Sequence, residues 1–426
     1  MNTIRTPAKP TAAIGLAALL AGLAVGGAAQ AYPIDAADQT GIERLEGYRL
    51  ASQGEIAGNR LPPGALLDRD QIQLRLADRP GFELPASDPG LTRRVVDLLG
   101  AEASRYSVSV LEISDPDRPR YAEHNGLTKR TPGSVGKVML VTALLQAIAD
   151  RHPEDIEARE RLLRETTVTA DAFIQWDSHT VPFWDGERKR FTRRPLRVGD
   201  TANLWTYLDW ALSASSNAAA SAVMKELMLL HHFGEDYPVP VEREAELFDR
   251  PPAERRDILL EALVDPIARN GLDTEQLRQG AFFTSGGKAR VSGTNSLSTT
   301  RELMRLLVKM EKGELVDEWS SRELKRLLYM TQRRIRYASS PALSEAAVYF
   351  KSGSLYKCDR EANPDCGKYR GNVYNYMHSV AIVEHPAGDP ERVYLVTMTS
   401  NVLNVNSAVA HQTFATRLHR LLQAGE

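Results

Sequence analysis

The sequence predicts an α/β fold in which a helix-rich stretch separates a β-containing start from a β-rich end. Three observations carry this: an alternating strand with a short partner at 106–123, helical periodicity from 138 to about 310, and three strand-like runs followed by a helix after 346. The chain has 426 residues, 25% charged and 42% hydrophobic, which is room for one large domain or two smaller ones. A net charge of −2 gives no basis for binding nucleic acid or a membrane surface.

Arg5 and Lys9 precede an apolar, alanine-rich run from Ala12 to about Val25, which ends in Ala29-Gln30-Ala31. A basic start, an apolar run shorter than a bilayer span and a small-x-small tripeptide read as a signal peptide over 1–31, cleaved before Tyr32. No cysteine follows the run, so no lipid attachment is expected. The protein is therefore expected to be periplasmic or secreted, with no stable membrane anchor after cleavage. Residues 32–88 break repeatedly, as at Leu61-Pro62-Pro63-Gly64, and read as an N-terminal extension lying on a main domain at 89–426.

Asp88-Pro89 opens a helix with Leu91, Val95 and Leu98 on one face. Residues 106–113 alternate as a strand, and 120–123 supply a hairpin partner. A helical lobe follows over about 132–320. In it, 138–148 is an apolar helix, Asp200 or Thr201 caps a helix carrying Leu204, Leu208 and Ala211, and 218–230 forms another. Thr299-x-x-Glu302 is a capping box ahead of Leu303, Leu306, Leu307 and Met310. Strands at 346–350, 373–383 and 393–398 and a helix with Phe414, Leu418 and Leu421 close the chain. Cys358 and Cys366 are the only cysteines, with Asn363-Pro364 between them. In an exported chain such a close pair reads as a disulfide, and no His or Cys lies between them to complete a metal site.

Three motifs carry chemistry: Ser134-Val135-Gly136-Lys137, Ser215-Ser216-Asn217, and Lys351-Ser352-Gly353 followed by Ser354. Ser134 opens the apolar helix, where unpaired N–H groups and the positive dipole end favour developing negative charge. Lys137 lies one turn on, on the same face, and must be neutral to act as a base; burial and a second cation promote that. Singly, the motifs also read as a capping serine with a solvated lysine, a helix N-cap, and a strand-to-turn boundary. Ser285-Gly286-Gly287-Lys288 repeats the first pattern, but its two glycines argue against a helix there.

The order and context of the trio resemble the penicillin-recognising active-site serine hydrolases, which include class A β-lactamases and D-alanyl-D-alanine peptidases. The resemblance covers about 89–426, most loosely between His231 and Thr294. It implies an antiparallel sheet flanked by helices, with an all-helical lobe inserted between its second and third strands. It also implies a Ser134 acyl-enzyme, with Lys137 as base and Ser215 relaying a proton to the leaving amine. Asn217 would bind the substrate's side-chain amide, Lys351 would supply positive potential, and Ser352 would meet the substrate carboxylate. Gly353 would let substrate approach the strand edge, and the N–H groups of Ser134 and Ser354 would form the oxyanion hole. No cofactor or metal is implied. The partner would be a small β-lactam or a peptidoglycan stem peptide.

Family members often carry aspartate where Ser216 stands. Class A enzymes deacylate with the glutamate of an E-x-x-L-N loop; Glu244-Ala245-Glu246-Leu247-Phe248 lacks the asparagine, so Glu244 reads as a surface-helix carboxylate. Slow penicillin turnover is expected. The alternatives are a D-alanyl-D-alanine carboxypeptidase or endopeptidase, and a β-lactam-binding sensor-like module, for which no second span of bilayer length exists. The adjacent His231-His232 point apart on a helix. Arg188-Lys189-Arg190 with Arg193, Arg194 and Arg197 reads as a solvated loop or a contact for anionic cell-wall material. Trp176, Phe183 and Trp184 either rim the cleft or pack the inserted loop.

Overall fold

The computed structural model describes residues 33–57, 61–330 and 334–425, so the expected signal peptide at 1–31 lies outside the described residues. Five strands build one antiparallel sheet: β1 (Tyr106–Glu112), β2 (Arg120–His124), β3 (Ala347–Lys357), β4 (Tyr374–His385) and β5 (Arg392–Asn401). Their spatial order is β2-β1-β5-β4-β3, which leaves β3 and its Lys351 motif at an edge.

Both faces of this sheet are covered. On β1, Val108 and Val110 join a core with Leu91, Val95, Phe414 and Leu418, while Leu111, and Ile113 just past the strand, join the core of the inserted lobe. The period of two thus divides one strand between two cores. The first core is closed by helix Pro89–Asp97, capped by the Asp88 carboxylate, and by helix Ser407–Gln423, capped by Asn406.

The lobe lies between β2 and β3 in the chain. Its central helix, Gly136–Arg151, is apolar nearly all round and buried along its length, as a helix at the middle of a core must be. By length and composition this segment passes as a membrane span, yet most of it is enclosed by protein. Helices Leu204–Leu212 and Asn217–Phe233 pack beside it. The lobe also carries three two-stranded ladders, the largest a hairpin of Val181–Asp185 with Arg190–Arg194.

Several local expectations are corrected. Neither Asp200 nor Thr201 caps the Leu204 helix: Asn203 does, its side chain accepting the Thr206 N–H, while Thr201–Asn203 is a strand paired with Thr167–Thr169. Thr299 caps its helix through the Glu302 N–H, but the buried Glu302 carboxylate accepts from the Asp273 N–H and Arg305, so only half the capping box forms. A helix does form over Ser285–Arg290 despite its glycines. A Cβ on Gly286 would stand 2.4 Å from the Ala172 carbonyl oxygen, and one on Gly287 2.4 Å from the Phe282 ring, so close packing demands glycine and outweighs its poor propensity.

The segment before residue 88 contributes to the lobe core. Helix Arg44–Ser52 and the turns on either side of it bury Ile42, Leu45, Leu67, Ile72 and Leu76 in the same cluster as the central helix. Arg44 makes a bidentate pair with buried Asp209 and also donates to the Met330 carbonyl. Arg75 reaches Glu384 on β4, at 2.6 Å, beside the fully buried Lys325 and Glu311. Past the end of β3, Cys358 and Cys366 form a disulfide with Cα atoms 5.6 Å apart.

Candidate active site

The three motifs meet at one point. Ser134 sits in a single 3-10 turn, Gly133–Val135, that leads into the central helix, so Lys137 stands one turn above it. The Lys137 amine is 3.0 Å from Ser134 Oγ, 2.9 Å from the Ser215 carbonyl oxygen and 2.7 Å from Asn217 Oδ1. The last two groups can only accept. A neutral amine has two N–H groups and one lone pair, so if these acceptors take the N–H groups the lone pair is left for the Ser134 hydroxyl.

Burial pulls the Lys137 amine down to about 7, against an upward pull from the Asp177 carboxylate. Lys351 donates to Ser215 Oγ at 2.8 Å and to the Ser352 carbonyl at 2.9 Å, which joins the third motif to the second. Burial, then the charges of Lys137 and Arg336, push Lys351 well below the usual lysine range. Three basic side chains therefore crowd one space, and burial and mutual repulsion disfavour a charge on the two lysines. A bound carboxylate would restore the charge on Lys351.

Ser352 and Ser354 meet Arg336, which donates to their hydroxyls at 2.9 and 3.2 Å and to the Tyr369 hydroxyl at 3.1 Å. Burial raises the Tyr369 phenol, but the Arg336 and Lys368 charges outweigh it and the net shift is downward. Gly353 also has a packing use. A Cβ there would lie 2.9 Å from the Ser134 nitrogen and 2.8 Å from the Pro132 carbonyl oxygen, so the missing side chain lets β3 close on the Ser134 turn. The same approach brings the Ser354 nitrogen to 3.7 Å from where a Gly133 side chain would start, setting the amides of residues 134 and 354 on neighbouring backbone. That arrangement can receive an oxyanion.

Sequence reasoning missed two contributors. Arg336 comes from a short turn before β3, at φ 54, with no motif around it. Asp177 lies in the lobe, before the Val181–Asp185 strand, and its carboxylate accepts from the Ser216 hydroxyl and the Ala218 N–H, each at 2.9 Å. Ser216 is the N-cap of helix Asn217–Phe233, and Ser215 adopts a left-handed φ of 58. The only signal for Asp177 was an acid beside the exposed Trp176, and it pointed to no role.

Other candidates fall away from this point. Glu244 is no free surface carboxylate: it pairs at 2.6 Å with Lys225, which also holds Asp171 at 2.8 Å. Lys137 instead faces the ring of Phe283, 4.9 Å from its centroid. Lys288 of the decoy is exposed, and Ser285 Oγ donates to the Gln175 carbonyl. Phe183 packs on Trp210 and Trp184 on Phe191, within the hairpin, while Trp176 is 82% exposed. The basic run occupies the turn and outer strand of the same hairpin, where Arg194 pairs with Asp200. His231 is exposed, and its nearest acid is Glu261 at 3.6 Å.

This geometry can be set beside known structures. The extended-spectrum β-lactamase TLA-3 superposes with a TM-score of 0.50 at 12% identity, over 78% of this chain and 98% of that one. The chain has a β-lactamase fold. A sequence profile described as the beta-lactamase enzyme family matches residues 258–419, which includes the Lys351 motif but neither Ser134 nor Ser215. A β-lactamase from Sphaerobacter thermophilus gives a TM-score of 0.48 at 16% identity over 78% of this chain and 97% of that one. A mutant of PBP-A in its acyl-enzyme complex with penicillin G gives 0.49 at 14%, over 80% and 100%. None of the curated proteins matches the chain by sequence. In this chain the three motifs meet at the junction of sheet edge and helical lobe, two from the lobe and one from β3.

Proposed function

We propose that this β-lactamase-like chain is an exported serine hydrolase that opens β-lactam or D-Ala-D-Ala-type amide bonds through an acyl-enzyme on Ser134. The observation that carries the reading is the Lys137 amine, buried, 3.0 Å from Ser134 Oγ, with its protonation brought near neutrality. Lys137 takes the hydroxyl proton as Ser134 Oγ attacks the amide carbonyl. The oxyanion is met by the N–H groups of Ser134 and Ser354. As the C–N bond breaks, Ser215 passes a proton to the leaving nitrogen and is resupplied by Lys351, which donates to its hydroxyl; Lys351 then regains a proton and Lys137 gives up the one it took from Ser134, so the site returns to its starting charge. Lys351, Ser352 and Arg336 fit the substrate carboxylate, and Asn217 its side-chain amide. Deacylation repeats these steps with water as the nucleophile.

Intact-mass measurement after mixing with penicillin G tests this reading. One penicillin should add to the wild type and to Ser285→Ala, and none to Ser134→Ala. An adduct that survives in Ser134→Ala but not in Ser285→Ala would overturn the assignment.

A peptidase-like pace with penicillins is favoured by the surroundings of Lys137, where an aromatic ring stands close and Glu244 is bound elsewhere. Glu244→Gln is expected to change penicillin hydrolysis by less than about threefold, because loss of a true general base costs about 10²–10⁴. A loss of that larger size, with acylation intact, would make Glu244 the deacylating base.

A further inference from the structure

Helix Asn217–Phe233 begins at a turn that does two things at once. Its Ser215 carbonyl and Asn217 Oδ1 face Lys137, and its Ser216 hydroxyl and Ala218 N–H face the other way, toward Asp177. Asp177 is 39 residues before Ser216, with its side chain 3% exposed. One carboxylate oxygen accepts the two bonds from the turn; the other accepts from the His179 N–H at 3.1 Å and lies 2.6 Å from His179 Nδ1. Ser216 Oγ accepts from the Ala219 N–H in turn, so the carboxylate is the hub of the helix start. A negative group is favoured there by the unpaired amides and the dipole of a 17-residue helix.

We propose that Asp177 is a positioning residue for acyl transfer, which fixes the Ser215–Asn217 turn against Lys137 from a loop outside the three motifs and places a negative charge where that amine feels it. The proposal rests on Ser134 and Lys137 acting as nucleophile and base. If the turn shifts, the acceptors that occupy the Lys137 N–H groups shift with it, and the lone pair no longer aims at Ser134.

The charged groups around Lys137 are Lys351 from β3, with Arg336 behind it, and Asp177 from its loop; Ser134, Ser215, Asn217 and Phe283 are neutral. Burial disfavours a proton on Lys137 and the Asp177 charge favours one. Burial acts to raise the Asp177 carboxyl, but its bonds to His179 and the Ala218 amide outweigh that and bring it down to about 2, so it is ionised across the working range. Removing its charge must let Lys137 release its proton at lower pH.

The test is the pH profile of the penicillin acylation rate for wild type, Asp177→Asn, Asp177→Glu and Ser216→Ala, with a thermal melt of each. In Asp177→Asn the acid limb should move down by about half a pH unit or more, and the plateau should fall by about 10–100-fold. Asp177→Glu should keep the limb within about 0.2 unit of wild type. A structural role alone would lower the melting temperature of Asp177→Asn and leave its limb in place, and that result overturns the proposal. Should Asp177→Asn not fold, Ser216→Ala, which removes one of the two bonds between the turn and the carboxylate, decides the matter: a plateau lower by about threefold or more supports the proposal and an unchanged plateau overturns it. Lys137→Ala separates the two levels. If it acylates with the wild-type limb, the underlying reading fails and takes the proposal with it; if it is inactive while the Asp177→Asn limb is unmoved, only the proposal fails.

Discussion

Lys137→Ala should lower the rate of Ser134 acylation by about 10²–10⁴-fold or more, as expected when the base of a serine nucleophile is removed. The size follows from the lack of a substitute. Lys351, the other amine in the site, bonds Ser215 Oγ and the Ser352 carbonyl, and Asp177 bonds the Ser216 turn. The alanine also leaves the Ser215 carbonyl and Asn217 Oδ1 without the donor they share in a buried place, so some stability should go with the activity. Wild-type acylation should rise with pH through about 7, because the base is the deprotonated amine and the lysine carries its proton below that value. The limb should vanish in Lys137→Ala. Stopped-flow acylation with a chromogenic β-lactam from pH 5 to 9 reads both effects. A rate within tenfold of wild type, with the same limb, would remove Lys137 from the mechanism.

Deletion of the residues before Ser87 should leave a chain that does not fold cooperatively. The segment inserts Ile42, Leu45, Leu50, Leu67, Ile72, Leu74 and Leu76 into the protein, none more than 8% exposed. At about 1.5–3 kcal/mol per buried side chain their loss comes to about 10–20 kcal/mol. A whole domain is stable by only about 5–15 kcal/mol. The deletion also strips Arg44 from buried Asp209 and Arg75 from Glu384, and losing one partner of a buried pair costs about 3–5 kcal/mol. The shortened chain should therefore lack a sigmoidal melt by circular dichroism and bind a hydrophobic dye. A sharp transition within about 5 °C of the full chain would show the segment to be a dispensable cover.

What the sequence determined by itself was whatever is written in short range. The Ser134–Lys137 spacing puts two groups on one helical turn, and helix geometry alone carries it into space. The alternation of β1, the caps at Asp88 and Thr299 and the apolar central helix are likewise local, and each appears where the residues put it. Cys358 and Cys366 needed only a turn between them.

Tertiary structure decided what depends on atoms far apart in the chain. Asp177 gains its place only because the lobe carries its loop to the start of a helix 39 residues on, and Arg336 because its turn docks beside the edge strand. Neither has a local pattern, since a carboxylate or guanidinium finds partners by distance in space. Gly286 and Gly287 looked like helix breakers until neighbouring backbone and the Phe282 ring filled the room a side chain would need. The irregular segment at 32–88 hid its packing for the same reason: its buried residues follow the shape of the lobe beneath them, and that shape has no period.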